Sequence, residues 1–351
     1  LSVTDAWIEG SGVLQQVLDL LDSAGIAARA FTGVIPDPTV ESIEAGCAAL
    51  GQDFHDCVIG LGGGSPIDSA KMIAVKANRR VADLKAPHQE NAPGLPIIAI
   101  PTTAGTGSEA TRFTIITDTA TDEKMLCAGL AYLPQIALVD YELTLTKPMR
   151  LTADTGIDSL VHAVEAYVSK HANPFADSMA LSAMRLIWPN LPRACADPGD
   201  RAAREALMLG ALQAGIAFSN SSVALVHGMS RPIGAHFHVS HGLSNAMLMP
   251  VVTEWSAPSA LPRYADCARA MGIADDGESN QGAVGRLIEA LHSVNSQLKV
   301  PSPQAYGIDR ERWNALLPLM AEQALASGSP GNNPRVPQPQ DIISLYQQAW
   351  N

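Results

Sequence analysis

The chain has 351 residues, 47% hydrophobic and 17% charged, a length too great for one ordinary core and a composition that excludes general disorder. Its 35 Asp and Glu outnumber 23 Lys and Arg, a net charge of −12 with no basic cluster, which argues against a nucleic-acid-binding face. No apolar run approaches the ~18–20 residues of a membrane helix, and five cysteines (Cys47, Cys57, Cys127, Cys195 and Cys267) without a C-x-x-C pair read as the reduced thiols of a cytoplasmic protein.

The opening LSVTD reads as the end of a strand entering a helix and, having no methionine, carries the expectation of a preceding segment. Residues 13–24 place apolar side chains at 13, 14, 17, 18, 20, 21 and 24, a helical period closed by Gly25. Apolar runs at 57–61, 96–100 and 136–140 read as continuous buried strands, which predicts a parallel sheet covered on both faces. After Pro148 the texture changes. Helices are predicted at 153–170, 175–188, 201–218, 221–230, 241–255, 258–271, 280–295 and 309–326, with a last one from Asp341. Loops are predicted at 86–95, 272–280 and 327–340. The expectation is an α/β domain over residues 1–148 and an all-helical domain over 149–351.

Two loops follow predicted strands. GGGSPIDSAK (62–71) joins a strand to a helix; its glycines let backbone N–H groups approach an anion, and the helix N-terminus adds partial positive charge. It is neither G-x-G-x-x-G nor a Walker A loop, and a plain glycine turn remains the alternative. PTTAGTGSEAT (101–111) interleaves Thr102, Thr103, Thr106, Ser108 and Thr111 with glycines beyond the next strand, the edge where open α/β sheets bind ligands. Asp5 stands at a third strand end, placed either to accept from ribose hydroxyls or to cap the following helix.

The helical half carries the sharper pattern. Asp158 and His162 are four apart in a helical stretch and share a face. Four of the nine histidines (His227, His236, His238 and His241) fall within residues 227–241. One straight helix would hold its ends about 21 Å apart, so a break at Pro232 and Gly234 is expected, with His227 ending one helix and His241 opening the next. Two of these histidines can then join Asp158 and His162, and one carboxylate with three imidazoles suits Fe(II), Zn, Mn or Ni.

In this order and spacing, VTD (3–5), GGGSPIDSAK, PTTAGTGSEAT, TGIDSLVHAVEAYVS (155–169) and HGMSRPIGAHFHVSHGLSNAMLMP (227–250) resemble the iron-containing (group III) alcohol dehydrogenase family, over essentially the whole chain. The resemblance implies a dehydroquinate synthase-like two-domain fold: an N-terminal α/β dinucleotide-binding domain and a helical domain that binds metal and substrate. It implies metal ligation by Asp158, His162, His227 and His241, with Fe(II) or Zn as the ion. It places Gly63, Gly64, Ser65 and Asp68 in the pyrophosphate loop and Thr102, Thr103 and Thr106 at the nicotinamide end. Asp5 becomes the residue favouring NAD over NADP, and Lys124 a cofactor contact. The implied reaction is hydride transfer between NAD and a primary alcohol, aldehyde or hydroxy acid, in a homo-oligomer without nucleic-acid or membrane partners.

The sequence departs from that pattern at Arg231, where a histidine is common, at Ser240 and at Tyr141. Arg231 lies one helical turn after His227 and pairs either with an internal acid (Asp154, Asp158 or Glu165) or with a substrate carboxylate. His236 and His238 are not ligands by position; His238 is a candidate proton relay. The alternatives are a glycerol dehydrogenase-like polyol enzyme of the same fold and a non-enzymatic metal-holding protein.

Overall fold

The structure, a computed structural model, describes all residues except 77, 78, 87 and 122. The predicted loop at 86–95 therefore includes one position, Pro87, outside the described residues. Two compact units divide the chain, Leu1–Thr144 and Leu145–Asn351.

In the first unit β1 (Ser2–Asp5) is followed by α1 (Ala6–Gly10), α2 (Val13–Ser23), β2 (Ala30–Val34), α3 (Val40–Leu50), β3 (Val58–Gly62), α4 (Gly64–Lys76), β4 (Ile97–Pro101), β5 (Phe113–Asp118), β6 (Glu123–Ala128) and β7 (Ile136–Ala137). The sheet order is β2-β1-β3-β4-β7, and every pair is parallel. The winding reverses between β1 and β3. The carboxyl ends of β1, β3 and β4, at Asp5, Gly62 and Pro101, lie along one edge, the place where such sheets hold ligands.

Val3, Val58, Leu61 and Ile97 are fully buried in this sheet, as continuous apolar strands require. Helix α4 is buried along most of its length because the sheet lies on one side and the antiparallel β5–β6 hairpin on another. Thr114 Oγ1 donates to the Asp68 carbonyl at 2.9 Å. The hairpin and β2 were not among the predicted strands. Along the hairpin, buried Thr114, Ile116, Met125 and Cys127 alternate with more exposed neighbours, the period-two pattern of a half-buried pair and not an apolar run. The strand predicted at 136–140 shrinks to two residues.

The second unit is helical: α5 (Met149–Val168), α6 (Pro174–Ala196), α7 (Arg201–Asn220), α8 (Leu225–Phe237), α9 (His241–Ser256), α10 (Leu261–Ala270), α11 (Asn280–Gln297), α12 (Pro303–Tyr306), α13 (Arg310–Ala326) and α14 (Pro339–Gln348). Helix α5 is its axis, with α6, α7 and α9 packed around it and nearly every residue from Thr152 onward buried. Burying Ile157, Leu160 and Val161 there stabilises by about 1.5–3 kcal/mol each. Helix α6 continues through Pro189 and Pro192, eight residues beyond the predicted end at 188.

The expected break at Pro232 and Gly234 does not occur. Helix α8 runs through both, and His227 is its third residue, not its last. The chain turns instead at His238, which adopts a left-handed conformation (φ 54°) while its N–H bonds to the Gly234 carbonyl at 3.0 Å. His241 does open α9, as expected. All five cysteines are free thiols. Among the described residues no single helix is long and apolar enough to cross a membrane.

Candidate functional site

Asp158 and His162 project from one face of α5, one turn apart. His227 enters from the first turn of α8, and His241 from the first residue of α9. One donor atom from each meets the others within 4.8 Å. Asp158 Oδ1 lies 3.9 Å from His162 Nε2, 3.5 Å from His227 Nε2 and 3.7 Å from His241 Nε2. Three of the four residues are buried, while the His241 side chain is 45% exposed and leaves the cluster open on that side. A glycine makes this approach possible. A Cβ at Gly242 would stand 2.3 Å from the Asp154 carbonyl oxygen, so only glycine lets the start of α9 meet the α5 backbone.

Neighbours hold these side chains in place. Glu165 Oε2 accepts from the Ala224 N–H (2.8 Å) and lies 2.7 Å from His227 Nδ1, while Oε1 accepts from the Val226 N–H (2.6 Å). One carboxylate thus satisfies the first N–H groups of α8 and fixes the His227 ring with Nε2 turned to the cluster, a carboxylate–histidine arrangement typical around metal ligands. His162 is sandwiched between Phe218 (ring centroids 4.3 Å) and His227 (4.5 Å). Asn245, one turn after His241, donates to Asp158 Oδ1 at 2.6 Å and lies 3.3 Å from His241 Nε2. Phe218 and Asn245 were not singled out from the sequence, and Glu165 was named only as a possible partner of Arg231, not as the group that holds His227.

Electrostatically the pocket holds positive charge. Burial pushes the Asp158 carboxyl up, but the imidazoles of His162, His241 and His227 outweigh it and hold it well below the usual carboxylate range. Burial likewise lowers His227, yet its hydrogen bonds to Asp158 and Glu165 prevail and raise it to about 9. The cluster thus favours a positive group among its donors, and the Asn245 amide N–H already points to Asp158. A divalent cation answers the same demand, and the N/O donor set suits Fe(II) and Zn alike. The residues fit such an ion.

In the first unit the two loops adjoin. A Cβ built at Gly63 would lie 3.6 Å from Thr103 Oγ1, and one at Gly64 would lie 3.0 Å from Thr106 Cγ2. The Thr102 N–H donates to the Gly62 carbonyl at 2.9 Å. Gly62 itself is required: its φ is +147°, and a Cβ there would meet the Pro66 ring at 2.5 Å. Ser65 lies in the first turn of α4. Asp68, expected in the pyrophosphate loop, has both carboxylate oxygens occupied, Oδ1 by Ser108 Oγ at 2.5 Å and Oδ2 by the Ile115 N–H at 3.0 Å. It therefore ties α4 to the threonine loop and to the hairpin; a carboxylate turned to a pyrophosphate would also repel it.

Lys71 and Glu109 complete this buried scaffold. Lys71 Nζ donates to the Thr111 carbonyl and hydroxyl, both at 3.0 Å, and to the Phe113 carbonyl at 2.8 Å. Burial lowers Lys71 to about 8 and raises Glu109 to about 7.

Asp5 Oδ1 accepts from the Ile8 N–H at 2.9 Å and so caps α1; its second oxygen has no protein donor among the described residues. Lys124, on β6, pairs with Asp37 at 2.7 Å. His238 is exposed at the α8 terminus, and His236 bonds Gln323 at 2.8 Å; neither joins the four-donor cluster. Arg231 makes no hydrogen bond or ion pair with Asp154, Asp158 or Glu165.

Residues 1–141 match the family described as iron-containing alcohol dehydrogenase, and residues 152–350 match the C-terminal family of Fe-containing alcohol dehydrogenases. Lactaldehyde reductase of Escherichia coli K12 is 36% identical over 355 residues, covering 100% of this chain and 91% of that protein. The NAD-dependent methanol dehydrogenase of Bacillus methanolicus is 36% identical (99% and 91% covered), and the NADPH-dependent butanol dehydrogenase of Clostridium saccharobutylicum is 35% identical (97% and 88% covered). The solved structure of an alcohol dehydrogenase from Oenococcus oeni superposes with a TM-score of 0.95 at 32% identity, covering 99% of this chain and 91% of that one. The chain belongs to the iron-containing alcohol dehydrogenase family.

Proposed function

We propose that this enzyme interconverts a short primary alcohol and its aldehyde with NAD, using a divalent cation held by Asp158, His162, His227 and His241. The observation that carries the reading is the convergence of those four donors beside an exposed His241, which leaves a path for a ligand oxygen. When bound, the cation supplies Lewis acidity to the substrate oxygen, favouring alkoxide on oxidation and a polarised carbonyl on reduction. Glu165 keeps His227 Nε2 turned to the donors that would hold the cation, and Phe218 fixes the His162 ring.

The first unit is the dinucleotide-binding domain in this reading. Gly63, Gly64 and Ser65 bring backbone N–H groups at the start of α4 to the pyrophosphate. Thr102, Thr103 and Thr106 line the adjoining loop. The second Asp5 oxygen meets the ribose hydroxyls of NAD, and Lys124 exchanges Asp37 for a cofactor contact. The second unit binds metal and substrate. His238, exposed at the α8 terminus, is the candidate proton relay to solvent in this reading.

The test is direct. Purified protein supplied with Fe(II) or Zn(II), NAD and a primary alcohol should produce reduced cofactor, read by its near-ultraviolet absorbance. His227→Ala should remove that turnover, while His55→Ala, outside the cluster, should not. Turnover undiminished by His227→Ala would overturn the assignment.

A further inference from the structure

Arg231 lies four residues after His227, on the same face of α8 and one turn toward its C-terminus. Helical side chains lean toward the N-terminus, so this one lies over the turn that carries His227. The guanidinium is partly buried; burial lowers its pKa, and Glu165 is the acid whose charge opposes that effect. A guanidinium nevertheless stays protonated and carries five donors, and among the described residues none of those donors has a protein acceptor.

The acids that could have served it are committed elsewhere. Asp154 pairs with Arg150. Asp158 belongs to the donor cluster and accepts from Asn245. Glu165 takes the N–H groups of Ala224 and Val226 and holds His227 Nδ1. A partly buried cation without an anion is costly. This one is held one turn from a cluster that opens to solvent at His241.

Resting on the dehydrogenase reading above, we propose that Arg231 receives an anionic oxyacid group, carboxylate or sulfonate, at the far end of a short alcohol or aldehyde whose reacting oxygen sits at the Asp158–His162–His227–His241 cluster. The planar fork of the guanidinium matches such a group with two parallel N–H···O bonds. The preferred substrates are then ω-hydroxy acids, ω-hydroxy sulfonates and the matching aldehydes, not plain alcohols.

Two arms test this. The first uses the native protein and no turnover: calorimetry should show butanoate and 1-butanesulfonate binding at least tenfold tighter than butanamide, and whichever anion binds more tightly names the oxyacid. The second compares a four-carbon ω-hydroxy acid with 1-butanol in the metal- and NAD-loaded enzyme. Arg231→Met should raise KM for the hydroxy acid about 10–100-fold, the range expected for losing a charged hydrogen bond, with KM for 1-butanol within about twofold. Arg231→Lys should recover part of the loss. Equal binding of butanoate and butanamide, or equal KM increases on both substrates, would overturn the proposal while leaving the dehydrogenase reading intact. Absence of turnover on every alcohol, with metal and NAD bound, would overturn the dehydrogenase reading instead; the calorimetric arm would still decide what Arg231 binds.

Discussion

At the scale of single residues, buried Lys71 and Glu109 beneath the proposed nucleotide loops make a testable pH signature. Burial raises Glu109 from an ordinary carboxyl value to about 7, so between about pH 4.5 and 7 the folded chain keeps a proton that the unfolded chain has lost, and stability falls as pH rises. Lys71, lowered to about 8, works in the other direction: stability is regained only as pH climbs from about 8 toward 10.5. Both costs are present near neutrality. Glu109→Gln should therefore raise the melting temperature over the native protein more at about pH 8 than at about pH 5. An increment independent of pH would contradict the raised carboxyl. Neither residue drew notice in the sequence, because Lys71 reads as a helix lysine and Glu109 as part of a polar loop until the hairpin closes over them. The cluster residues were legible: Asp158 and His162 share a helix face by spacing alone, and the density of histidines at 227–241 is visible in one line of text. Glu165 was not singled out as the group that orients His227. Its partners at 224, 226 and 227 lie about sixty residues away in sequence.

At the scale of elements, the site depends on how closely α9 approaches α5. Gly242→Ala would set a methyl group 2.3 Å from a backbone oxygen, a collision that neither helix can avoid by moving a side chain. The expected result is a loss of about 1–3 kcal/mol in unfolding free energy and at least tenfold weaker metal binding, measured by denaturant titration and by competition with a chelator. Native stability and metal affinity in the variant would show that the helices are not held by this contact. Elements whose burial is complete are legible in the sequence, and those half-covered are not. The continuous apolar strands β3 and β4 and the long helices were recognised, but β2 and the β5–β6 hairpin, each half-covered, were missed. Pro232 was read as a helix breaker. The helix tolerates it, and the turn falls at His238, where the left-handed backbone conformation and the bond to Gly234 end the run.

At the scale of the whole molecule, the loops proposed to hold the nucleotide belong to residues 1–144 and the proposed metal donors to residues 145–351, so the two functions should separate experimentally. Asp5 sets the choice of cofactor in this reading: a 2′-phosphate close to its free oxygen would bring like charges together. Asp5→Gly should narrow the preference of kcat/KM for NAD over NADP at least tenfold, and an unchanged ratio would remove Asp5 from that role. Chelation should abolish turnover and leave NAD affinity within about twofold, since no carboxylate or imidazole of the cluster belongs to the nucleotide loops. The most direct measurement is a titration of chelator-stripped protein with Fe(II) or Zn(II), following bound metal and NAD-linked alcohol oxidation in the same samples. Turnover should rise in step with bound metal and saturate with it, and His241→Ala should lose both together. Full turnover in a preparation shown to be metal-free would contradict the assignment of Asp158, His162, His227 and His241 as the centre of the reaction.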